Sequence, residues 1–136
     1  MRWVAPINSK ETIDAVLALK TWAVVGLGNN PERAAFGVAK LLQDKGHRII
    51  PVYPRAEEVH GEAGYKTLAD IPEQVDVVDC FVNSKLVGKV VDEAIAIGAK
   101  AVWLQLDVID HEAVGRAQAA GLLTVMDRCP AIEYRV

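Results

Sequence analysis

Three places along the chain carry residues whose types and spacing could do chemistry. The first is Gly26-Leu27-Gly28-Asn29-Asn30-Pro31-Glu32-Arg33, which follows an apolar stretch and leads into a helical pattern. Gly-x-Gly between a strand and a helix lets the backbone approach a phosphate closely. The helix start then offers unpaired N–H groups and a partial positive charge. Asn29 and Asn30 add short donors that tolerate left-handed backbone. Pro31 fixes the turn, and Arg33 brings a planar cation to its mouth. A plain strand-to-helix turn would use the same glycines, but the position after the first strand favours a phosphate-bearing ligand.

The second place is the end of the second strand, Pro51-Val52-Tyr53-Pro54-Arg55. A site for NAD asks for an acidic residue there, about 20 residues after the glycines, to hold a ribose hydroxyl. This strand ends on Arg55, whose charge suits a ribose phosphate, as in NADP or coenzyme A. Glu57 and Glu58 come slightly late, so NAD is disfavoured. Arg55 as a plain solvated loop residue is the bland alternative.

The third is Cys129, followed by Pro130 and preceded by Arg128. A thiol at a helix start beside a cation gains thiolate character, so Cys129 is the one candidate nucleophile; the alternative is a small packing residue. Cys80 lies within an apolar strand and reads as core. His47, His60 and His111 read as solvated residues without zinc-ligand spacing, and no metal is expected. Asp110 is explained as a helix cap and Asp107 is the acid placed to face a ligand. No general acid–base pair with Asp76 or Asp79 can be read from spacing. Tyr53 and Phe81 are candidates to stack on an adenine, whereas Trp103 reads better as sheet-to-helix packing.

The elements that must position these residues alternate. Ser9 caps a helix reaching about Lys20, with Ile13, Val16 and Leu17 on one face. Strands are expected at Thr21–Gly26, His47–Pro54, Val75–Val82, Lys100–Leu106 and Leu122–Met126. A short edge strand is expected at Gly64–Leu68, with a turn at Ala69–Glu73. Helices carry Ala35, Val38, Ala39 and Leu42, then Val87, Val90, Val91 and Ala94, then the segment from Asp110 to Gly121. Pro130 opens a last helical turn. Pro51 inside a strand is tolerable only where its missing N–H is not needed. Such alternation means a parallel sheet covered on both faces, doubly wound, with the strands at Trp22 and Val75 adjacent and a crevice at their C-terminal ends.

Composition sets the outer bounds. The 136 residues suffice for one domain with a sizeable core. The chain is 51% hydrophobic and 24% charged, an ordinary balance for a soluble protein. A formal charge of -3 gives no support for a nucleic-acid or anionic-membrane partner. The longest apolar run is far short of the roughly 18 residues of a membrane span, and the N-terminus lacks the pattern of a signal peptide. Two cysteines make neither a disulfide framework nor a metal spacing, so a cytoplasmic protein with reduced thiols is expected.

The segments "VVGLGNNPERAAFGVAKLLQDKGHRIIPVYP", "LADIPEQVDVVDCFVN", "AIGAKAVWLQL" and "VMDRCPAIEY" together resemble the small stand-alone CoA-binding domain proteins. These are related to the N-terminal domain of the succinyl-CoA synthetase alpha subunit. The resemblance runs from about Trp3 to Tyr134. It implies a single Rossmann-like domain over residues 1–136, with an N-terminal helical segment over 1–20, holding coenzyme A or an acyl-CoA across the crevice. By that resemblance the loop Gly26–Arg33 and the helix start through Gly37 meet the pyrophosphate and pantetheine. Pro54 and Arg55 lie by the adenosine phosphate; Phe81, Val82 and Asn83 wall the adenine or pantetheine; Gln105 and Leu106 face the pantetheine arm.

The chain departs from the family pattern at two positions. Gly28 stands where relatives often have a serine, which removes a hydroxyl ligand. Val82 stands where an arginine is common, which removes a phosphate contact. The catalytic phosphohistidine of the synthetase belongs to a second domain that these residues do not contain. The resemblance therefore implies a non-catalytic nucleotide-binding module, with any protein partner unidentified. The alternatives are an NADP-type oxidoreductase fragment and an interaction protein with a vestigial nucleotide site.

Overall fold

The computed structural model describes residues 4–135; Met1, Arg2, Trp3 and Val136, including the start of the expected N-terminal segment, lie outside the described residues. Helix α1, Lys10–Leu17, begins where Ser9 accepts a hydrogen bond from the Thr12 N–H, and it buries Ile13 and Val16. Strand β1, Thr21–Val25, is followed by α2, Ala34–Asp44, and β2, Arg48–Val52. A 3₁₀ turn at Leu68–Asp70 precedes β3, Val77–Cys80, and α3, Ser84–Ala96. Then come β4, Ala101–Leu104, α4, His111–Ala119, β5, Leu123–Val125, and α5, Pro130–Glu133.

All strand pairings in the sheet are parallel, in the order β2-β1-β3-β4-β5. β3 and β4 are buried along their whole length, as expected of parallel strands covered on both faces. Side chains alternate between two cores. Ala23, Val78, Val102 and Leu104 pack with α3 and α4. Trp22, Val24, Val77 and Trp103 pack with α1 and α2, joined by Cys129 and Tyr134 around α5. Helices α2 and α3, which follow the two adjacent central strands, thus lie on opposite faces. The expected Rossmann-like, doubly wound α/β fold is present as a single domain.

The structure differs from the expectation at three points. The segment Gly64–Leu68 does not form a sixth strand; Tyr65 alone pairs with Val52 as a parallel bridge. Its N–H donates to the Pro51 carbonyl and its carbonyl accepts from Tyr53, after which the chain turns into the 3₁₀ segment. Because Pro51 faces outward from edge strand β2, its missing N–H interrupts no pairing with β1. His47 is buried rather than solvated: Nδ1 meets the Leu19 carbonyl at 2.8 Å and Nε2 meets the Tyr134 hydroxyl. His60 is half-buried, packed on Phe36 and bonded to its carbonyl, while His111 is exposed as expected.

Candidate functional site

In this strand order the chain leaves β1 toward one face and β3 toward the other, which opens a crevice between their C-terminal ends. The crevice has three arms that meet at Arg33. A polar arm of about 330 Å³ runs over Gly26, Gly28, Asn29 and Asn30 to Tyr53, Arg55 and Glu57. An apolar arm of about 340 Å³ runs along Ala34, Ala35 and Val38 to Phe81, Gln105 and Cys129. A third, of about 470 Å³, passes Pro54, Lys66, Thr67 and Leu68 toward Leu86 and Val90. Phe81, Val82 and Asn83 line both the second and the third.

The glycine loop owes its path to two contacts. Gly26 has φ +100°, and a Cβ there would stand 2.5 Å from the Phe81 carbonyl oxygen, so only glycine lets β1 turn this close to the end of β3. A Cβ on Gly28 would meet Glu57 Oε1 at 2.8 Å and the Tyr53 ring at 3.3 Å. Bare backbone at position 28 therefore keeps the polar arm open. Asn30 accepts from the Glu32 N–H and so sets the turn into α2. Arg33 is the N-cap of α2 without any side-chain capping bond, and it is exposed. Its guanidinium is free to face a ligand where the helix dipole already favours negative charge. Glu57 accepts from the Asn29 N–H at 3.1 Å, and Asn29 donates to the Glu58 carbonyl. The loop after β2 is thereby tied to the glycine turn.

The apolar arm has one polar pair in its floor. Asp79, at the centre of β3 between Val24 and Trp103 in register, is fully buried. Its Oδ1 accepts from Gln105 Nε2 at 2.6 Å, and its Oδ2 has no partner among the described residues. Burial pushes the Asp79 carboxyl up to about 8, partly offset by the Gln105 hydrogen bond. The neighbouring Cys80 thiol is raised well above its ordinary value by burial and by Asp79, and it is inert core. Cys129 is half-buried, caps α5 through its backbone and faces the same arm.

Twelve of the fourteen residues expected at the site line the crevice: Gly26, Gly28, Asn29, Asn30, Arg33, Pro54, Arg55, Phe81, Val82, Asn83, Gln105 and Cys129. Two do not. Leu27 is fully buried in the α2-side core, between two glycines that face the crevice. Gly37 is an exposed position one turn into α2, beyond the three arms. Asn83 also serves the fold: its side chain caps α3, accepting from the Lys85 and Leu86 N–H groups. Trp103 is core, its indole N–H given to the Arg128 carbonyl, so it stacks on nothing in the crevice. Asp107 lines the apolar arm as expected, with φ +66°.

Sequence reasoning missed three contributions. Glu57 reaches back to the glycine loop, although its distance along the chain argued against a role. Lys66 and Thr67 reach the crevice only because Tyr65 pins that segment to β2. Asp79 had one available signal, an acid within the otherwise apolar run Val77–Val82.

The CoA binding domain family matches residues 20–135 of the chain. A hypothetical protein from Pyrococcus horikoshii OT3 superimposes with a TM-score of 0.89 at 40% identity, covering 99% of this chain and 97% of that one. The protein YneT of Bacillus subtilis is 33% identical over 129 residues, 94% of this chain and 96% of its own length. The alpha subunit of an ADP-forming acetate–CoA ligase from Pyrococcus furiosus is 36% identical over 81 residues, 59% of this chain but only 18% of that subunit. With a family match across nearly all of β1 to α5 and the crevice in the place the fold assigns to ligands, the chain belongs to the CoA-binding domain family, related to the alpha subunits of ADP-forming acyl-CoA synthetases.

Proposed function

We propose that the crevice binds coenzyme A or an acyl-CoA and that the chain acts as a non-catalytic, cytoplasmic binding module. The observation that carries this reading is the meeting, at Arg33, of a polar arm and an apolar arm. Coenzyme A has that same division: a phosphorylated nucleotide at one end and a neutral pantetheine arm at the other. Fit is supported by the bare backbone at Gly28, where a Cβ would fill the polar arm, and by two exposed cations, Arg33 and Arg55. Arg33, Arg55 and the α2 N-terminus would hold the phosphates. Phe81, Val82 and the α2 residues Ala35 and Val38 would cover the pantetheine, with Gln105 at its end. Gly28 and Val82 leave the phosphates fewer side-chain ligands than the family pattern, which gives the backbone N–H groups and Arg33 a larger share.

Among the described residues, no pair of groups in the crevice is arranged for general acid–base work. The candidate nucleophile Cys129 lines the apolar arm, but no base stands in hydrogen-bond contact with it among the described residues. No cluster of ligands for a metal ion occurs among the described residues. No helix among them is long and apolar enough to cross a membrane.

The test is a thermal-shift titration with CoA, dephospho-CoA, NAD and NADP side by side. CoA at 100 times its dissociation constant should stabilise the fold by about 2.7 kcal/mol, with dephospho-CoA needing a higher concentration. A larger shift with NADP would move the assignment to an oxidoreductase-type site. No shift with any of the four would leave the crevice as a relic on an interaction protein.

A further inference from the structure

The Asp79–Gln105 pair is a polar feature of the crevice that neither the phosphates nor the fold explains. Asp79 shares the α2-side face of the sheet with Val24, Val77 and Trp103. A carboxylate fixed there with one oxygen unpaired is costly, and a structural role would be filled better by an apolar residue. Gln105 links this acid to the ligand cleft, whose other walls near it are Ala35, Val38, Phe81 and Val82. Among the described residues no group donates to Gln105 Oε1. The sealed, unpartnered side-chain atoms are Asp79 Oδ2 and Thr124 Oγ1, so Oε1 keeps access to the cleft.

Which end of the amide turns outward depends on the acid. An ionised Asp79 can only accept, so Gln105 must give it an N–H and present its carbonyl oxygen to the cleft. A protonated Asp79 can donate its O–H to Gln105 Oε1, and a half-turn of the amide then presents the NH₂ group instead. The 2.6 Å separation is just below the usual N–H···O range of about 2.7–3.2 Å and within the O–H···O range of about 2.5–3.0 Å, so an oxygen-to-oxygen pairing fits the same spacing.

We propose that Asp79 and Gln105 form a proton-set selector for the acyl end of the ligand, Asp79 as the positioning residue and Gln105 as the reader. With the proton on, the Gln105 amide N–H pairs with the carbonyl of an acyl thioester, and a thioether of the same size is disfavoured. With the proton off, that preference is lost. This rests on the CoA reading above and extends it to the thioester class.

The titratable and charged groups around Asp79 are few. Cys80 is next to it on β3, facing the other core. Neither register neighbour on β1 or β4 ionises. Arg33 stands at the α2 cap, Asp107 after β4, and Asp127, Arg128 and Cys129 before α5. None of these is among the causes of the Asp79 shift, which are burial and Gln105. At neutral pH the acid therefore carries its proton in most molecules.

The experiment is isothermal calorimetry of acetyl-CoA and S-ethyl-CoA, which differ in the carbonyl and share every ionising group. Preference for acetyl-CoA should be about fivefold near pH 6.5 and close to none near pH 9. Asp79→Asn, which keeps a donor for Gln105 Oε1 at every pH, should hold the preference constant across that range. A ratio that does not change with pH in the native chain would overturn the selector. So would a ratio that changes equally in Asp79→Asn. Failure of both ligands to bind at any pH would refute the CoA reading itself, and the two failures are thus distinguishable.

Discussion

At the end of the sheet where the strands begin, polar side chains answer one another. The Thr21 N–H donates to Asp76 Oδ2 at 3.0 Å, and Lys100 pairs with Asp76 at 3.5 Å. Arg48 bridges Glu73 at 2.6 Å and Glu62 at 2.5 Å. Glu73 holds the Arg48 guanidinium above its ordinary value and is itself lowered in return. Trp22 gives its indole N–H to the Leu19 carbonyl, and His47 bridges that carbonyl and Tyr134. At the end where the strands finish the pattern inverts. Neither Arg33 nor Arg55 has an ion-pair partner among the described residues, and Asp79 keeps a sealed oxygen without one. Polar groups satisfied within the protein stabilise a fold; exposed cations without partners are available to the ligand proposed above.

The sharpest way to break this comparison is to close the crevice from within. Gly26→Val sets a side chain against the Phe81 carbonyl at a positive φ. It should cost roughly 3–5 kcal/mol in urea unfolding and abolish CoA binding. A variant that kept both would show that the loop path is not fixed by glycine.

Asp79→Asn should act in the opposite sense. The folded-state value of about 8 lies above the ordinary 3.8, so folding takes up a proton. The stability Asp79 allows is fully present below about pH 4 and declines as pH rises through 8. Replacing it by the neutral isostere should therefore stabilise the protein at pH 7, on the order of 4 kcal/mol, and flatten the decline between about pH 4 and 8. Melting curves between pH 5 and 9, at about one-unit steps, would decide this; a destabilised variant would mean that the acid is ionised and paired.

Arginines at the two ends give the next contrast. Arg33→Ala should weaken CoA binding by roughly 10- to 100-fold while changing stability by less than about 0.5 kcal/mol. Arg48→Ala should leave affinity unchanged and cost about 1 kcal/mol, since the Arg48 side chain is itself more than one-third exposed and its ion pairs are screened by solvent. Exchange of these two outcomes would overturn the assignment of the ends.

The smallest effect belongs to His47. Burial depresses its basicity, against the hydrogen bonds it makes to the backbone of Leu19 and Lys20. The neutral ring is the folded form, so its contribution is present above about pH 6.5 and is lost as pH falls through the depressed folded value. His47→Gln should flatten the acid side of the stability profile without altering affinity near pH 8. An unchanged acid limb would place the proton-sensitive group elsewhere.

The sequence by itself determined the alternation of strands and helices, because apolar runs bounded by Gly26, Gly46, Gly98 and Gly121 leave a doubly wound parallel sheet as the economical arrangement. It also located the glycine loop, Arg33, Arg55 and the Phe81–Asn83 segment, since these follow strands directly and local order alone carries them to the crevice. Ser9 and Asp110 were legible as caps for the same local reason. Tertiary structure decided what depends on distant partners. Tyr65 pairs as one residue because the chain turns away after it, and only that bridge brings Lys66 and Thr67 to the site. His47 is buried because Tyr134, 87 residues later, covers it. Glu57 returns to the Asn29 amide from 28 residues further along the chain, after α2 and β2. Asp79 becomes more than a strand residue only when Gln105, on the neighbouring strand's end, closes a hydrogen bond to it. Periodicity and capping are properties of neighbours along the chain; burial and pairing of a charge are properties of neighbours in space.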